Sequence, residues 1–432
     1  MALRRLDLRG FDGDRRALSD RLPRPVDEQD RSSEAVAAII ADVRADGDAA
    51  LRRLTATFDK VELDGLRVPA GEISAALARI PDDLQEALDV AHDRILAYHA
   101  HEAPDAPDDF TNGGVTVRHL LRPVARAGCY APGGRARYPS TVLMCAVPAH
   151  VAGVPEIVLC VPPGPDGRVD DATLAAAAVA GVTEVYAVGG AQAIAAMAYG
   201  TESIGAVDVI VGPGNRYVAE AKRQVSGVVG VASAFAGPSE VVVIAGPDTP
   251  SELAAIDLVV QAEHGPDGLA WLITWSEELI DRVDAAVDRI VATSPRRADL
   301  EATLGSGGYA VLVDGPKRAC AVSNVVAPEH LEILTDDATS LLSHIDSAGA
   351  VFLGTNAPAS VGDYLAGPNH VLPTNRTARF ASALRVDDFR KHIHAVSLTD
   401  EAVRTLGPFV ETLAETEGLP AHAQSVRMRW PR

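Results

Sequence analysis

The sequence predicts an α/β protein with two Rossmann-like but incomplete α/β/α domains, parallel-rich sheets, and small helical N-terminal and C-terminal appendages. Two observations carry this. From about Tyr130 onward, short runs of Val and Ile alternate with helical stretches: EIVLCVPP then DATLAAAAVAG, VDVIVGPG then NRYVAEAKRQV, SEVVVIAG then SELAAIDLVVQAEHG. Strands apolar on both faces, each followed by a helix, are the pattern of a parallel sheet covered on both sides. Second, a chain of 432 residues, 47% of them hydrophobic, is long enough for two substantial cores.

In chain order, residues 1–25 form an N-terminal arm that interleaves Arg with Asp (MALRRLDLRGFDGDRR) and never develops the apolar stretch of an export signal. From about 31 to 100 apolar residues recur at helical spacing (Val36, Ile39, Ile40, Val43, then Leu84, Leu88, Ala91, Ile95), with a break at Pro81. Residues 102–112, rich in Pro and Asp, read as a loop before a strand near Val115–Leu121. VYAVGG followed by AQAIAAMAYG reads as strand, turn and helix, because Ala, Gly and Gln192 dilute the hydrophobicity a membrane span needs. The alternation continues through LAWLITW, GYAVLVD, HLEIL and GAVFLG, each followed by a helical stretch, and the tail from Leu398 is helical again. The expected division is a large domain made of 26–128 and 240–384, a second domain over 129–239, and a helical tail over 385–432. The two lobes are expected to meet in a cleft.

A formal net charge of -20 gives no support for binding nucleic acid or an anionic membrane. The four cysteines, Cys129, Cys145, Cys160 and Cys320, include no CxxC pair, so neither a disulfide framework nor a thiolate zinc site is expected, and a reducing cytoplasm fits.

Four groups of residues could carry chemistry. In Gln261-Ala262-Glu263-His264, at a helix end before Gly265-Pro266, Gln261 and His264 share one face and could bind a cation such as zinc, although an isolated Q-x-x-H is more often a packing histidine. In Ala327-Pro328-Glu329-His330-Leu331 a proline turn hands a carboxylate and an imidazole to an apolar strand. Such a pair suits proton transfer, but adjacent side chains on extended backbone diverge, and a surface acid-imidazole pair is the plainer alternative. Ser360 to Pro373 brings Asp363 and His370 close in sequence, as ligands or as ordinary helix-end polarity. Glycine turns at Ala131-Pro132-Gly133-Gly134, Gly189-Gly190 and Gly212-Pro213-Gly214-Asn215 could admit an anionic cofactor. None is a GxGxxG, and tight strand-to-helix turns also explain them.

Together and in this order, the blocks YAPGG, GGAQAIAA, VGPGN, AGPSE, QAEHG, APEHL, GDYLAGPNHVLPT and a C-terminal E-x4-H closely resemble the histidinol dehydrogenase family, over nearly the whole chain. The resemblance implies an NAD-dependent oxidoreductase that takes L-histidinol through L-histidinal to L-histidine, with one zinc per subunit and two NAD reduced in turn. It implies zinc ligation by Gln261, His264, Asp363 and His422, and acid-base chemistry by Glu329 and His330. Those ligands and His330 would also meet the substrate, together with Ser239, His370 and Glu417, and NAD would meet Tyr130, Gln192 and Asn215. It further implies a homodimer in which the tail bearing Glu417 and His422 completes the partner's active site. Two rivals remain at this stage: a zinc hydrolase with Glu329 as general base, and a non-catalytic metal- or nucleotide-binding relative.

Overall fold

A computed structural model of the chain describes residues 3–23, 29–133, 137–232, 239–263 and 268–429. A six-stranded, wholly parallel sheet runs in the order Arg4–Asp7, Gly308–Leu312, Leu269–Thr274, Glu240–Ala245, His330–Leu334, Ala350–Leu353. Side chains alternate across it. Val241, Val243 and Ala245 join one core with Ala254, Leu258 and Ala262 of helix Ser251–Ala262. Val242 and Ile244 join another with Val322 and Val325 of helix Pro316–Val326. Both faces are covered, which is why the strand reads as an unbroken apolar run. Burying each Val or Ile side chain contributes ~1.5–3 kcal/mol.

A second, five-stranded parallel sheet has the order Glu184–Ala187, Glu156–Val161, Arg126–Tyr130, Val209–Val211, Gly230–Val231. The two sheets are wound alike. Apart from the edge strand Arg4–Asp7, each starts at a middle strand, builds outward through the next two, then crosses back to the other side of that middle strand. The reversal leaves a crevice beside the first strand, where ligands of such sheets bind. It lies between Arg126–Tyr130 and Val209–Val211 in one lobe, and between Glu240–Ala245 and His330–Leu334 in the other.

The helical front differs from its expected place. Gln29–Phe58, interrupted at Gly47, packs with Val36, Ile40, Val43 and Leu51 against Val158, Cys160 and Tyr186. Helices Ala70–Ala76 and Asp82–Glu102 bury Ile73, Leu88 and Ile95 on the other face of the same sheet. These helices therefore belong with the five-stranded sheet, whereas the sequence division grouped 26–128 with 240–384. Periodicity marks which face of a helix is apolar, not which sheet receives it. The arm also departs from a helical appendage, since Arg4–Asp7 forms an edge strand of the six-stranded sheet before helix Arg15–Arg21. In the tail, Arg390–Leu398 is a nine-residue strand paired antiparallel with Val115–Pro123, itself paired with Phe110–Asn112, so 385–432 is not wholly helical. Helices Asp400–Thr416 and Pro420–Arg427 follow, joined through Gly418 at φ 73°. No helix of the described residues is long and apolar enough to cross a membrane.

One glycine is demanded by the winding. Gly212 closes strand Val209–Val211 with φ 109°, and a Cβ there would collide with the carbonyl oxygen of Tyr130 across the crevice. Gly212→Ala is expected to lower stability by about 2 kcal/mol or more in urea unfolding, because it combines backbone strain with overlap. An unchanged midpoint would show that the turn can open without cost.

Candidate active site

Helix Pro316–Val326 ends at Ala327, a non-glycine residue in the left-handed region at φ 50°, and Pro328 follows. This turn lets Glu329 and His330 converge although they are adjacent. Glu329 Oε2 lies 3.6 Å from His330 Nδ1 and also accepts the Glu240 backbone N–H at 3.1 Å. On the opposite side of the ring, His330 Nε2 is 3.4 Å from Asp363 Oδ1. Glu329 and His330 are buried and Asp363 is half-buried. Burial opposes a charged imidazole, but Glu329, Asp363 and the Glu240 backbone outweigh it, and the His330 pKa is raised. Glu240, fully buried beside Glu329, has its carboxyl pushed up to about 8, chiefly by burial.

Asp363 sits in the short helix Ala359–Tyr364. Its backbone carbonyl accepts from His370 Nδ1 at 2.8 Å, which leaves His370 Nε2 to accept from the Thr141 hydroxyl at 3.2 Å. Thr141 lies in the first turn of helix Pro139–Ala152, just beyond strand Arg126–Tyr130. Asn369 also donates to the Met144 carbonyl of that helix, at 2.6 Å. The carboxyl edge of the five-stranded sheet thus meets the amino edge of the six-stranded one, and His330 lies where they meet.

Gln261 is buried in the last turn of helix Ser251–Ala262, and its Nε2 has no hydrogen-bond partner among the described residues. Nothing holds that NH2 in place, so the amide can turn to present its oxygen, and this oxygen with the Asp363 carboxylate suits a cation that takes oxygen ligands. His264 lies outside the described residues. Ser239 is half-buried at the entry to strand Glu240–Ala245, where its carbonyl accepts from Leu269. Among the described residues no three His, Cys, Asp or Glu side chains form a metal-binding group by themselves. His422 and Glu417 are exposed on the tail of the same subunit.

At the other crevice, the Tyr130 hydroxyl accepts the Gly190 N–H at 3.0 Å. Gln192 is buried in the first turn of helix Gly190–Tyr199. Asn215 is exposed and caps helix Arg216–Val225, its Oδ1 accepting from Tyr217 and Val218 at 3.0 and 3.1 Å. Beneath this turn the fully buried Lys222 donates to the Gly212 carbonyl, and burial pushes its pKa down to about 8. The structure thus brings Glu329, His330, Asp363 and His370 together and sets Tyr130, Gln192 and Asn215 around the glycine turns. Sequence reasoning missed Glu240, Lys222, Thr141, and the buried acids Asp257 and Glu332. Asp257 and Glu332 carried a readable signal, as lone carboxylates inside the apolar runs LAAIDLVV and HLEIL.

A family model described as Histidinol dehydrogenase matches residues 22–430. The histidinol dehydrogenase of Neisseria gonorrhoeae is 47% identical over 397 residues, covering 91% of this chain and 92% of that protein. That of Thermosynechococcus vestitus is 48% identical over 405 residues, covering 93% and 94%. The crystal structure of histidinol dehydrogenase from Elizabethkingia anophelis superposes with a TM-score of 0.92 at 36% identity, covering 99% of this chain and 98% of that one. The family match over most of the chain, together with the shared fold, shows that the chain belongs to the histidinol dehydrogenase family.

Proposed function

We propose that the chain oxidises L-histidinol through L-histidinal to L-histidine, reducing two NAD in turn, as in the last steps of histidine biosynthesis. The observation that carries this is the buried imidazole of His330, set between the Glu329 and Asp363 carboxylates at the meeting of two lobes with crevices. A hydrolase would have no use for the second crevice with its glycine turns, and a non-catalytic relative would have no use for the buried acid-imidazole set.

We assign zinc ligation to Gln261, His264, Asp363 and to His422 contributed across a homodimer. The buried amide of Gln261 and the carboxylate of Asp363 fit such a cation, one per subunit. When bound, zinc would orient the substrate and NAD would accept hydride at each oxidation. His330 removes the substrate hydroxyl proton at Nε2, the nitrogen on the Asp363 side. Glu329 on the Nδ1 side stabilises the imidazolium that results. The second oxidation consumes water: Glu329 takes a proton from the water that adds to the aldehyde while His330 returns its own proton to the aldehyde oxygen, and the imidazole, neutral again, then takes the hydroxyl proton of the hydrate as hydride leaves. Ser239, His370 and Glu417 would hold the substrate, while Tyr130, Gln192 and Asn215 would line the dinucleotide. Four buried thiols without a disulfide suit a cytoplasmic setting.

Supplying L-histidinol and NAD is expected to yield two NADH per histidine formed, with turnover lost on chelation and restored by zinc. One NADH per product, or full turnover in metal-free protein, would refute the assignment. Glu329→Gln should slow oxidation of histidinal more than oxidation of histidinol in single-turnover measurements, since only the former needs water activated. Equal losses would remove that role. Finally, His422→Ala and Glu329→Gln should each be defective in forming histidine as homodimers yet regain that activity when unfolded and refolded together, because a mixed dimer holds one site with both residues intact. No recovery would mean that His422 serves its own subunit.

A further inference from the structure

Two buried acids have no part in the chemistry above. Glu332 is fully buried on strand His330–Leu334, two residues beyond His330 and therefore on the same face of the sheet. That face is covered by helix Ser251–Ala262, as the core shared by Leu334, Leu258 and Ala262 records. From this helix Asp257, also buried, meets the Glu332 carboxyl side chain to side chain. Asp257 lies one turn before Gln261, on the same side of the helix. Glu332 also reaches a third element: its Oε1 accepts the backbone N–H of Ala359 at 3.1 Å, one turn before Asp363. Its Oε2 has no donor among the described residues. Two carboxylates in contact away from water cannot both be ionised, and a proton held between them supplies the donor that Oε2 lacks.

We propose that Asp257 and Glu332 share one proton, and that this carboxyl-carboxylate hydrogen bond is a positioning device. It ties the helix of Gln261 and the helix of Asp363 to the strand of His330, so that both side chains face one point. The position rests on the assignment of Gln261 and Asp363 as metal ligands; the shared proton does not. Burial raises both pKa values; the contact between the acids raises that of Glu332 further and acts the other way on Asp257, in keeping with a proton retained on the Glu332 side of the pair. Neither acid touches substrate, so both act through the residues they hold.

The test uses the full-length protein and two substitutions of one residue. Glu332→Gln keeps the shape and the net charge of the pair, because the amide donates to an ionised Asp257 and still accepts from Ala359. Glu332→Leu removes both bonds. Zinc retained against a competing chelator is measured by metal analysis, with KM for histidinol and for NAD and the thermal midpoint alongside. Glu332→Gln is expected to hold zinc as the parent does. Glu332→Leu is expected to lose roughly 10–100-fold in zinc affinity, the size typical of lost support around a metal ligand, and to raise KM for histidinol but not for NAD. Zinc retention by Glu332→Leu equal to the parent, or a loss by Glu332→Gln as large as that of Glu332→Leu, would overturn the positioning role. Should Glu332→Leu fail to fold, infrared spectroscopy of the parent decides the shared proton. A protonated-carboxyl band at neutral pH that disappears in Glu332→Gln and in Asp257→Asn supports it, and its absence from the parent overturns it. A parent that binds no zinc would instead sink the ligand assignment, with the infrared result still deciding the proton.

Discussion

The rest of the site depends on one electrostatic constraint: an imidazole placed out of water can hold a proton only if acids stand on both sides of it. Taking such groups from solvent costs several kcal/mol per ion, and only close, well-held partners offset it. The backbone is shaped to keep those partners close. Ala327 adopts a left-handed conformation so that Glu329 can turn back on His330. The first amide of the neighbouring strand holds Glu329, and His370 donates to the Asp363 carbonyl. Loosening any one of these would leave a buried charge short of its counter-charge.

The way the sheets are wound explains why two kinds of chemistry can meet there. A parallel sheet offers its carboxyl edge to turns that open helices, where free N–H groups can approach an anion. Tyr130, Gly190 and Gly212 occupy that edge in the five-stranded sheet. The acid-imidazole set occupies the opposite edge, the amino ends of Glu240–Ala245 and His330–Leu334, in the six-stranded sheet. Thr141 and His370 hold the two edges against each other. A site built across such a junction can bind an anionic cofactor on one side and move protons on the other, with neither set of charges crowding the other.

Much of this was legible in the sequence. Continuous Val and Ile runs announced parallel strands because burial on both faces removes alternation, as in EVVVIA. The APEHL turn left convergence open, with a surface acid-imidazole pair as the plainer reading, whereas the geometry buries both side chains 3.6 Å apart. Helix Pro139–Ala152 was not legible, because residues 141–149 are all buried and no polar stripe marks its period. The partner of the front helices was equally hidden: Val36, Ile40 and Val43 define a face, but either sheet could have accepted it. Strand Arg390–Leu398 reads RKHIHAVSL, with few strong β-formers, and forms through pairing with Val115–Pro123. Asp257 and Glu332 were visible as charges in apolar runs, yet only their contact gives them meaning.

The tail carries the reverse of the usual helical pattern. On helix Asp400–Thr416 the large apolar residues Leu406, Phe409, Val410 and Leu413 recur at helical spacing, and all four are exposed. The buried residues of that helix, Ala402, Gly407 and Ala414, are small. A scattered exposed leucine is ordinary, but a whole apolar stripe facing water is not what a self-sufficient subunit builds. Leu419 and Met428 continue the exposed apolar surface past the Gly418 turn, close in sequence to Glu417 and His422. An uncovered apolar face beside the exposed Glu417 and His422 is what the proposed shared site would need: in such a homodimer the face would supply the hydrophobic driving force for association, and the polar groups would travel with it into the partner.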